Sequence, residues 1–371
     1  MLISLNWHHV GTWGRHRRRC RDAQMNRNTR TAIVAALCFV VLAGLITLIP
    51  IGFVAWSPGV SYNLLGSPNG EPAVQVSGVE TTAGNGALLM STVAATKSDS
   101  HLTLPEALAN YLLPYHNVMP REWVYPVGMS AAELSQQSSD EMETSQRNAT
   151  VAALRAAGIA VQENAVVDSV SSGGPAYELL QAGDIINTVN GKAVSAATDV
   201  TNSIREVSIG DTVEFGITRN NATMKVSVTT QASSSDRSVP RVGMTLRDGY
   251  RYAPQVNFTI DPDIDQPRDG LVLALAVYEL VSPTDLTQGR TIAATGTIDP
   301  SGTVGATSGV EEKIRSAEQG GATVFLMPAA NCSETKHVST KLDLVKVDKL
   351  DDAISSLQAL SKGDSSSVPR C

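Results

Sequence analysis

Hydrophobic and polar residues repeat with different periods along the chain, and the period predicts where helices and strands lie. Residues 73–80 and 86–95 alternate between apolar and polar, with glycine-containing loops beside them, so we predict two strands paired as a β-hairpin. From residue 242 onward, short strand patterns alternate with helical patterns. This mixture indicates an α+β fold.

One predicted helix has almost no polar face. Residues 271–280, LVLALAVYEL, follow directly on a turn formed by Arg268, Asp269 and Gly270. A helix that is apolar on every side is buried in a protein or crosses a membrane, and this one is too short to cross. We therefore expect it to be a core helix with a polar turn at its start.

A second apolar segment is long enough to span a bilayer. No charged residue occurs from Ala32 to Trp56, and Thr47 is the only polar interruption. Such a run exceeds the apolar core of a signal peptide and ends in an interfacial tryptophan, so we predict a transmembrane helix over 32–56. A cleaved signal peptide is the alternative.

The charges around this span predict its orientation. Arginines crowd the N-terminal side, whereas the first lysine or arginine after the span is Lys97. The positive-inside rule then places the N-terminus in the cytoplasm and the bulk of the chain outside. The formal net charge is -7 despite the basic N-terminus, so the body is acidic, which argues against nucleic-acid binding.

Two of the four cysteines, Cys332 and Cys371, fall in the external part. They do not make a disulfide framework. Because residues 363–371 are expected to be a disordered tail, pairing of these cysteines would tie a disordered end to the body, and this option stays open.

Residues 159–232 form a self-contained block with the order of a small domain. In it, the sequence AGDII at 182–186 leads to Asn190-Gly191, a dipeptide typical of tight hairpin turns. This order resembles a bacterial PDZ domain. The resemblance implies a groove between a strand and the helix at 197–207, where a peptide or protein C-terminus adds as an extra strand. The predicted peptide-binding residues are Gly158, Ile159, Val200 and Ile204. A PDZ fold that serves only as a spacer is the alternative.

The external part carries no sequence pattern for a metal or a nucleotide. His101, His116 and His337 lie far apart without acidic or cysteine partners at metal-ligand spacing. A phosphate-binding glycine loop followed by Lys is also missing from the sequence. We therefore expect no metal, no cofactor and no ATP.

The glycine-rich segment 295–313 delivers Lys313 to the start of a predicted helix, on a face shared with Val310, Ile314 and Ala317. Burial disfavours the charged form of a lysine, and a neutral amine can act as a general base. The alternative is a lysine that extends along the helix surface to solvent.

This segment resembles the part of Lon-type serine-lysine peptidases that ends in the catalytic lysine. Residues 264–271, IDQPRDGL, are similar to the Gly-Gly-Pro-Ser-Ala-Gly-Leu motif that carries the nucleophile of these enzymes. The motifs SYNLLG, PREWVYP and SQRNATVAALRAAG extend the match over nearly all of the external chain. The chain thus resembles bacterial membrane-anchored Lon-like peptidases with an inserted PDZ domain. Relatives of Lon often form rings, so a homo-oligomer is one option.

The resemblance does not imply activity. In the ungapped alignment Lys313 falls on the general base, and Arg268 falls on the nucleophile. A gapped alternative equates residues 267–270, PRDG, with the Pro-Lys-Asp-Gly that precedes the serine in Lon, so that the serine is deleted. Neither alignment supplies a hydroxyl, and a guanidinium is not nucleophilic. Asp269 is expected to neutralise Arg268 locally.

We therefore expect a membrane-anchored, extracytoplasmic peptide-binding protein with impaired catalysis. One alternative is an active Ser-Lys endopeptidase that uses a displaced hydroxyl, and another is a structural envelope scaffold. Candidates for the displaced hydroxyl are Ser282, Thr295, Thr297, Ser301 and Ser308. The predicted domains are a basic tail (1–31), the membrane span (32–56), the N-terminal part of a Lon-like domain (57–158), the PDZ domain (159–232), a C-terminal Lon-type domain (233–362) and the disordered tail (363–371).

Overall fold

The computed structural model describes residues 27–67, 70–82, 84–260 and 269–371. The helices are α1 (Arg27–Leu48), α2 (Leu104–Leu112), α3 (Arg121–Val124), α4 (Ala131–Ala156), α5 (Ala197–Arg205), α6 (Gly270–Val281), α7 (Val310–Gln319) and α8 (Leu350–Ser361). A 3-10 helix covers Ala329–His337.

The strands before the inserted block are β1 (Pro50–Ile51), β2 (Phe53–Asn63), β3 (Val74–Ser77), β4 (Ala87–Ala95), β5 (Leu102–Thr103) and β6 (Asn117–Pro120). Those of the block are β7 (Gln162–Val170), β8 (Ile185–Val189), β9 (Lys192–Ala193), β10 (Thr212–Arg219), β11 (Ala222–Thr229), β12 (Gln231–Ala232), β13 (Pro240–Arg241) and β14 (Met244–Arg251). The remaining strands are β15 (Gln255–Phe258), β16 (Thr291–Ala294), β17 (Thr297–Ile298), β18 (Val304–Gly305), β19 (Val324–Pro328) and β20 (Asp343–Val347).

The larger of the two folded parts is built on a mixed sheet with strand order β20-β19-β16-β4-β2-β6. Because side chains alternate between the faces of a strand, neighbouring residues belong to different cores. Leu88 and Met90 of β4 pack in the core that contains α4, α6 and α8, whereas Leu89 packs with α7. The sheet therefore lies between two helical layers.

The position of α6 explains its composition. The residues from Gly270 to Glu279 are buried, since α4 and α8 cover the sides of α6 that the sheet leaves open. A helix enclosed in this way has no water-facing side that would need polar residues. The core helix predicted from the sequence is confirmed.

The inserted part has its own sheet, with order β11-β10-β8-β7-β14, and its own core. The long helix α4 leads into it, and β14 returns the chain to the larger part through β15. The expected boundary at residue 232 lies too early, because β14 pairs with β7 along its whole length, from Met244 opposite Val170 to Arg251 opposite Gln162.

The N-terminal apolar helix is shorter than expected. It ends at Leu48, and the residues up to Trp56 belong to β1 and β2 instead of to a helix over 32–56. The strand β2 is itself partly apolar, so the hydrophobic run continues past the helix without a break in composition. Residues 27–48 are long and apolar enough to cross a membrane, and none of them is buried.

The predicted hairpin of residues 73–80 and 86–95 is wrong. Strand β3 pairs with β15, and β4 lies between β2 and β16. Both strands exist where the alternation predicts them, but their partners come from distant parts of the chain.

The C-terminal tail is ordered, in contrast to the disorder expected for 363–371. Cys371 forms a disulfide with Cys332, and Arg370 makes a bidentate ion pair with Asp343. Val368 is buried in the core beside α8. A disulfide, an ion pair and one buried valine therefore hold the tail against the rest of the fold.

Candidate active site and peptide groove

The start of α6 forms one side of the candidate active site. Asp269 precedes the helix and is buried. A Cβ at Gly270 would lie 2.9 Å from Cγ2 of Ile298 and 3.1 Å from its backbone nitrogen, so glycine lets α6 begin this close to β17. Arg268, the predicted nucleophile position, lies outside the described residues.

Helix α7 supplies Lys313 from the opposite side. The helix begins after Gly309, which has a φ of 71°, and its face of Val310, Ile314 and Ala317 packs on the sheet. Lys313 is 1% exposed. The alternative that this lysine extends to solvent is therefore wrong, and its amine lies inside the protein.

The amine of Lys313 has three oxygen neighbours. It lies 2.7 Å from Oδ1 of Asp269, 3.1 Å from Oγ1 of Thr295 and 3.2 Å from Oγ1 of Thr307. The hydroxyl of Thr295 donates to the same carboxylate oxygen at 2.6 Å, so it accepts from the amine. Both charged side chains are almost completely inaccessible to water, at 1% and 0% exposed.

This geometry matches an ammonium group. A protonated amine has three N–H donors and no acceptor, and here three oxygens lie in reach. A buried ammonium is retained when a counter-ion and further hydrogen bonds replace its hydration, and Asp269 with the two threonines supplies both. An amine in this state has no lone pair with which to accept a proton.

The described polar contacts of the Asp269 carboxylate are with Lys313 and Thr295. Among the described residues, its second oxygen, Oδ2, is buried without a hydrogen-bond partner. The expected partner of Asp269 was Arg268. The ion pair that the structure describes is instead with Lys313.

Thr307 is the hydroxyl that the sequence reasoning missed. Its backbone is clamped by the side chain of Asn331, which accepts from the Thr307 N–H at 3.1 Å and donates to the Thr307 carbonyl at 2.9 Å. Asn331 is itself buried. The only sequence signal was the glycine-rich run before Lys313, because Asn331 comes from a separate element.

The hydroxyls named from the sequence are mostly elsewhere. Thr295 touches Lys313 but is completely buried. Ser301 bonds to Asp299 in a turn, and Ser282 follows the far end of α6. Ser308 is the exception: it lies just before Gly309, the N-cap of α7, and lines the cleft that reaches Lys313.

A cleft of about 490 Å³ reaches the cluster from the surface. Apolar side chains of β2, β4 and the α3 region form one wall, and the polar side of α4 forms another. Both Thr307 and Lys313 line it. Its lining also includes Trp56, Val93, Trp123, Tyr125, Gln137, Ser138 and Ser308.

The inserted part presents a second candidate site. In the described chain β14 pairs with one strand only, β7, and leaves its other edge open. Helix α5 lies beside this edge: its first N–H groups are near β14, where Asp248 Oδ1 accepts from Ala197 N at 2.8 Å. Met244 and Leu246 of β14 pack on the same core as α5.

The predicted peptide-binding residues divide between two places. Val200 and Ile204 are on α5 but buried in the core, at 0% and 7% exposed, so they support the groove from below. Gly158 and Ile159 follow α4, where Ile159 N donates to Leu154 O at 2.8 Å. The structure thus places α5 beside β14, whereas Gly158 and Ile159 lie before β7.

Within the residues that the structure describes, no group of three or more His, Cys, Asp or Glu side chains could hold a metal ion.

Two family models match the chain. The model of the PDZ domain matches residues 138–230, and the model of the Lon protease (S16) C-terminal proteolytic domain matches residues 259–360. The first begins inside α4 and ends before β14. No curated protein matches the chain.

Solved structures of separate PDZ domains are similar to part of the chain. One from an SdrC-like protein of Listeria monocytogenes is 26% identical, with a TM-score of 0.21, and the match covers 22% of this chain and 85% of that one. Another, from an SdrC-like protein of Listeria innocua, is 25% identical with a TM-score of 0.21, covering 22% and 92%.

The two matched domains lie in one chain whose larger part is interrupted by the smaller. Asp269, Gly270 and Lys313 fall within the Lon match, and α5 falls within the PDZ match. The family resemblance read from the sequence is therefore confirmed. The chain thus contains a PDZ domain and a Lon protease C-terminal proteolytic domain, a combination that matches a Lon-like peptidase with an inserted PDZ domain.

Proposed function

We propose that this protein is anchored in a membrane, binds peptides or protein C-termini outside the cytoplasm through its PDZ domain, and does not cleave them. The observation that carries the last point is the contact of 2.7 Å between the Lys313 amine and Asp269. A general base needs a free lone pair, and an ammonium that donates to three oxygens has none. Catalysis is then prevented for two reasons. Arg268 stands at the position of the nucleophile, and Asp269 forms an ion pair with Lys313, which stands at the position of the general base.

The test is a restoration of the family motif. Full-length wild type in detergent, given a fluorescently labelled unfolded protein, should show no cleavage. Arg268→Ser should stay inactive because Asp269 still holds the amine, whereas Arg268→Ser with Asp269→Ala should gain cleavage. Wild-type cleavage that Lys313→Ala abolishes would refute the proposal.

The second candidate function is an active peptidase that uses Thr307 as its nucleophile. It is favoured by one observation: the Thr307 hydroxyl is 3.2 Å from the Lys313 amine and lines the open cleft. Against it stands Asp269, whose carboxylate lies 2.7 Å from the same amine and favours its charged form over a free base.

Thr307→Val separates these candidates because it removes the hydroxyl and keeps the shape of the side chain. A fluorophosphonate probe that labels wild type but not Thr307→Val would establish Thr307 as a nucleophile. Equal absence of labelling in both proteins is the result that our first proposal expects.

Peptide binding is supported by the open edge of β14 beside α5. An extended segment can add to such an edge through main-chain hydrogen bonds, with side chains that enter the apolar gap against the helix. Val207 lies just after α5, is half-buried, and packs on the same core as Val200 and Ile204.

Fluorescently labelled peptides with a free C-terminus and the same peptides with an amidated C-terminus should be titrated against the full chain. Val207→Arg should weaken binding at least tenfold, whereas Arg205→Ala, at the exposed last residue of α5, should not. Preference for the free carboxylate indicates C-terminus recognition. Binding unaffected by Val207→Arg would contradict the proposed groove.

Membrane anchoring is supported by α1, whose apolar run has no protein cover in the described part of the chain. Extracytoplasmic location is supported by the disulfide of Cys332 and Cys371, because such bonds persist in oxidising compartments. The arginine-rich N-terminus then faces the cytoplasm. Protease added outside intact cells should degrade an epitope at the C-terminus and spare one at the N-terminus.

A further inference from the structure

Helix α2 turns an apolar face outward. Leu104, Leu108, Tyr111 and Leu112 are spaced to share one side of the helix and are 50%, 56%, 73% and 72% exposed. Ala107 is the only buried residue of this helix. A helix of a soluble protein normally buries such a face, so this one needs a covering.

The position of α2 next to α1 indicates what covers this apolar face. Strand β1 follows α1 after a single residue, and it pairs with β5, with Pro50 opposite Thr103. The residue after Thr103 is Leu104, the first of α2. Helices α1 and α2 are also neighbours in space. Paired strands lie about 5 Å apart, and three further residue steps of about 3.8 Å separate Leu48 from Pro50 and Thr103 from Leu104, so α2 begins within roughly 16 Å of the end of α1.

The length of α1 determines where the end of α1 and the start of α2 lie relative to a bilayer. Its first turn holds Arg27 and Arg30, which belong with the headgroups, so the uncharged part, residues 31–48, makes about 27 Å of helix, close to the roughly 30 Å of hydrocarbon in a membrane. Leu48 then lies close to the boundary between hydrocarbon and headgroups, and α2 starts near this level because it contacts α1.

We propose that the Leu104, Leu108, Tyr111 and Leu112 face of α2 lies in the headgroup region of the bilayer that α1 crosses. This inference rests on the proposed membrane anchor and adds a second, interfacial contact with lipid. Amphipathic helices bind in this way with the apolar face toward the acyl chains, and tyrosine is enriched at that depth.

The polar groups of α2 agree with this orientation. Its one charged residue, Glu106, is turned to the helix start, where its carboxylate accepts from the Thr103 N–H at 2.8 Å and from the Thr103 hydroxyl at 2.9 Å. Helical spacing puts Glu106 on the side opposite the apolar face. No charge therefore has to enter the lipid.

Interfacial binding would also fix the candidate active site relative to the membrane. Helix α2 packs on β2 and β6. These strands supply Trp56 and Met119 to the wall of the cleft. The cleft would then lie at a constant height above the bilayer, because the folded part could not tilt about the end of α1.

The test uses nitroxide labels on full-length protein in nanodiscs, with Cys20→Ser and Cys38→Ala to remove the other thiols outside the disulfide. One label is placed at Leu108→Cys, on the apolar face. The matched control is Ala109→Cys, which is exposed on another side of the same helix. A third label, Val41→Cys in α1, reports the anchor.

The expected result is a ratio of oxygen to nickel-chelate collision rates that is several-fold higher at residue 108 than at residue 109. Equal ratios at 108 and 109, with a high ratio at 41, would overturn the interfacial contact and leave the anchor intact. A label at 108 shielded from both reagents would mean that protein covers the face, which also overturns it. A low ratio at 41 would refute the anchor itself.

Discussion

The two ends of α6 bury carboxylates in opposite ways. At the N-terminal end, Asp269 meets the amine of Lys313 at 2.7 Å and the hydroxyl of Thr295 at 2.6 Å. Near the C-terminal end, Glu279 is 1% exposed and accepts from Leu286 N at 2.8 Å and from the Thr287 hydroxyl at 3.3 Å, next to another acid, Asp285.

The helix itself accentuates this difference. Its N-terminus carries partial positive charge and its C-terminus partial negative charge. A negative charge is therefore favoured at the position of Asp269 and disfavoured at the position of Glu279. Burial is the main cause that raises the pKa of Glu279 to about 7. The comparison teaches that the same helix offers a buried carboxylate a cationic partner at one end and an acidic neighbour at the other, where burial favours the protonated form.

The largest effect should come from breaking the ion pair on one side. Lys313→Met leaves the buried Asp269 carboxyl without its counter-ion, and we expect a loss of about 3–5 kcal/mol in the free energy of unfolding. Adding Asp269→Leu to Lys313→Met should recover most of it, because no uncompensated charge remains. Urea unfolding of the single and double variants measures both. Equal stability of Lys313→Met and wild type would contradict the ion pair.

The second prediction concerns pH at the other end of α6. The pKa of Glu279 is raised from 4.5 to about 7, so the folded state binds the proton more tightly than the unfolded state does. The contribution of this group to the free energy of unfolding is complete below pH 4.5. It decreases as the pH rises to about 7, by at most about 3 kcal/mol.

Glu279→Gln tests this because an amide resembles the protonated acid. Burial also raises the pKa of Glu312, which contributes a decline of the same sign in both proteins. The difference in unfolding free energy between Glu279→Gln and wild type should therefore grow in favour of the variant from pH 5 to pH 7.5. A constant difference would exclude a shifted Glu279.

A smaller effect is expected at the hydroxyl shared by the charged pair. Thr295→Val removes one donor to Asp269 and one acceptor for Lys313 without changing the shape of the side chain. The expected loss is about 2 kcal/mol, typical of hydrogen bonds to charged groups. Thr297→Val on the neighbouring strand is the control and should change stability by less. If the two variants behave alike, Thr295 does not stabilise the pair.

Local sequence predicted the elements of the fold better than their partners. The apolar sides of α6 and the spacing around Lys313 reflect burial within one helix, which a sequence pattern records. The partners of β3 and β4 are set by the packing of distant segments, so the nearest strand was the wrong choice. β14 was assigned to the next domain because a polar linker precedes it.

The candidate site was predictable only in part for the same reason. The helix face of Lys313 followed from the residue pattern, its general-base position came from family resemblance, and its burial was one of two alternatives. Its pairing with Asp269, 44 residues earlier, and the clamp of Thr307 by Asn331 arise only when separate elements meet. The order of the tail depends likewise on Asp343 and Cys332, which lie far from it in sequence.

The protonation state of Lys313 tests the central claim most directly. Protein labelled with ¹⁵N-lysine should show a buried Nζ signal at pH 8 that carries three attached protons and is absent in Lys313→Met. Its chemical shift should move in Asp269→Asn, since the counter-ion is lost. A signal with two attached protons would mean a neutral amine that is able to act as a base, and that result would contradict the account.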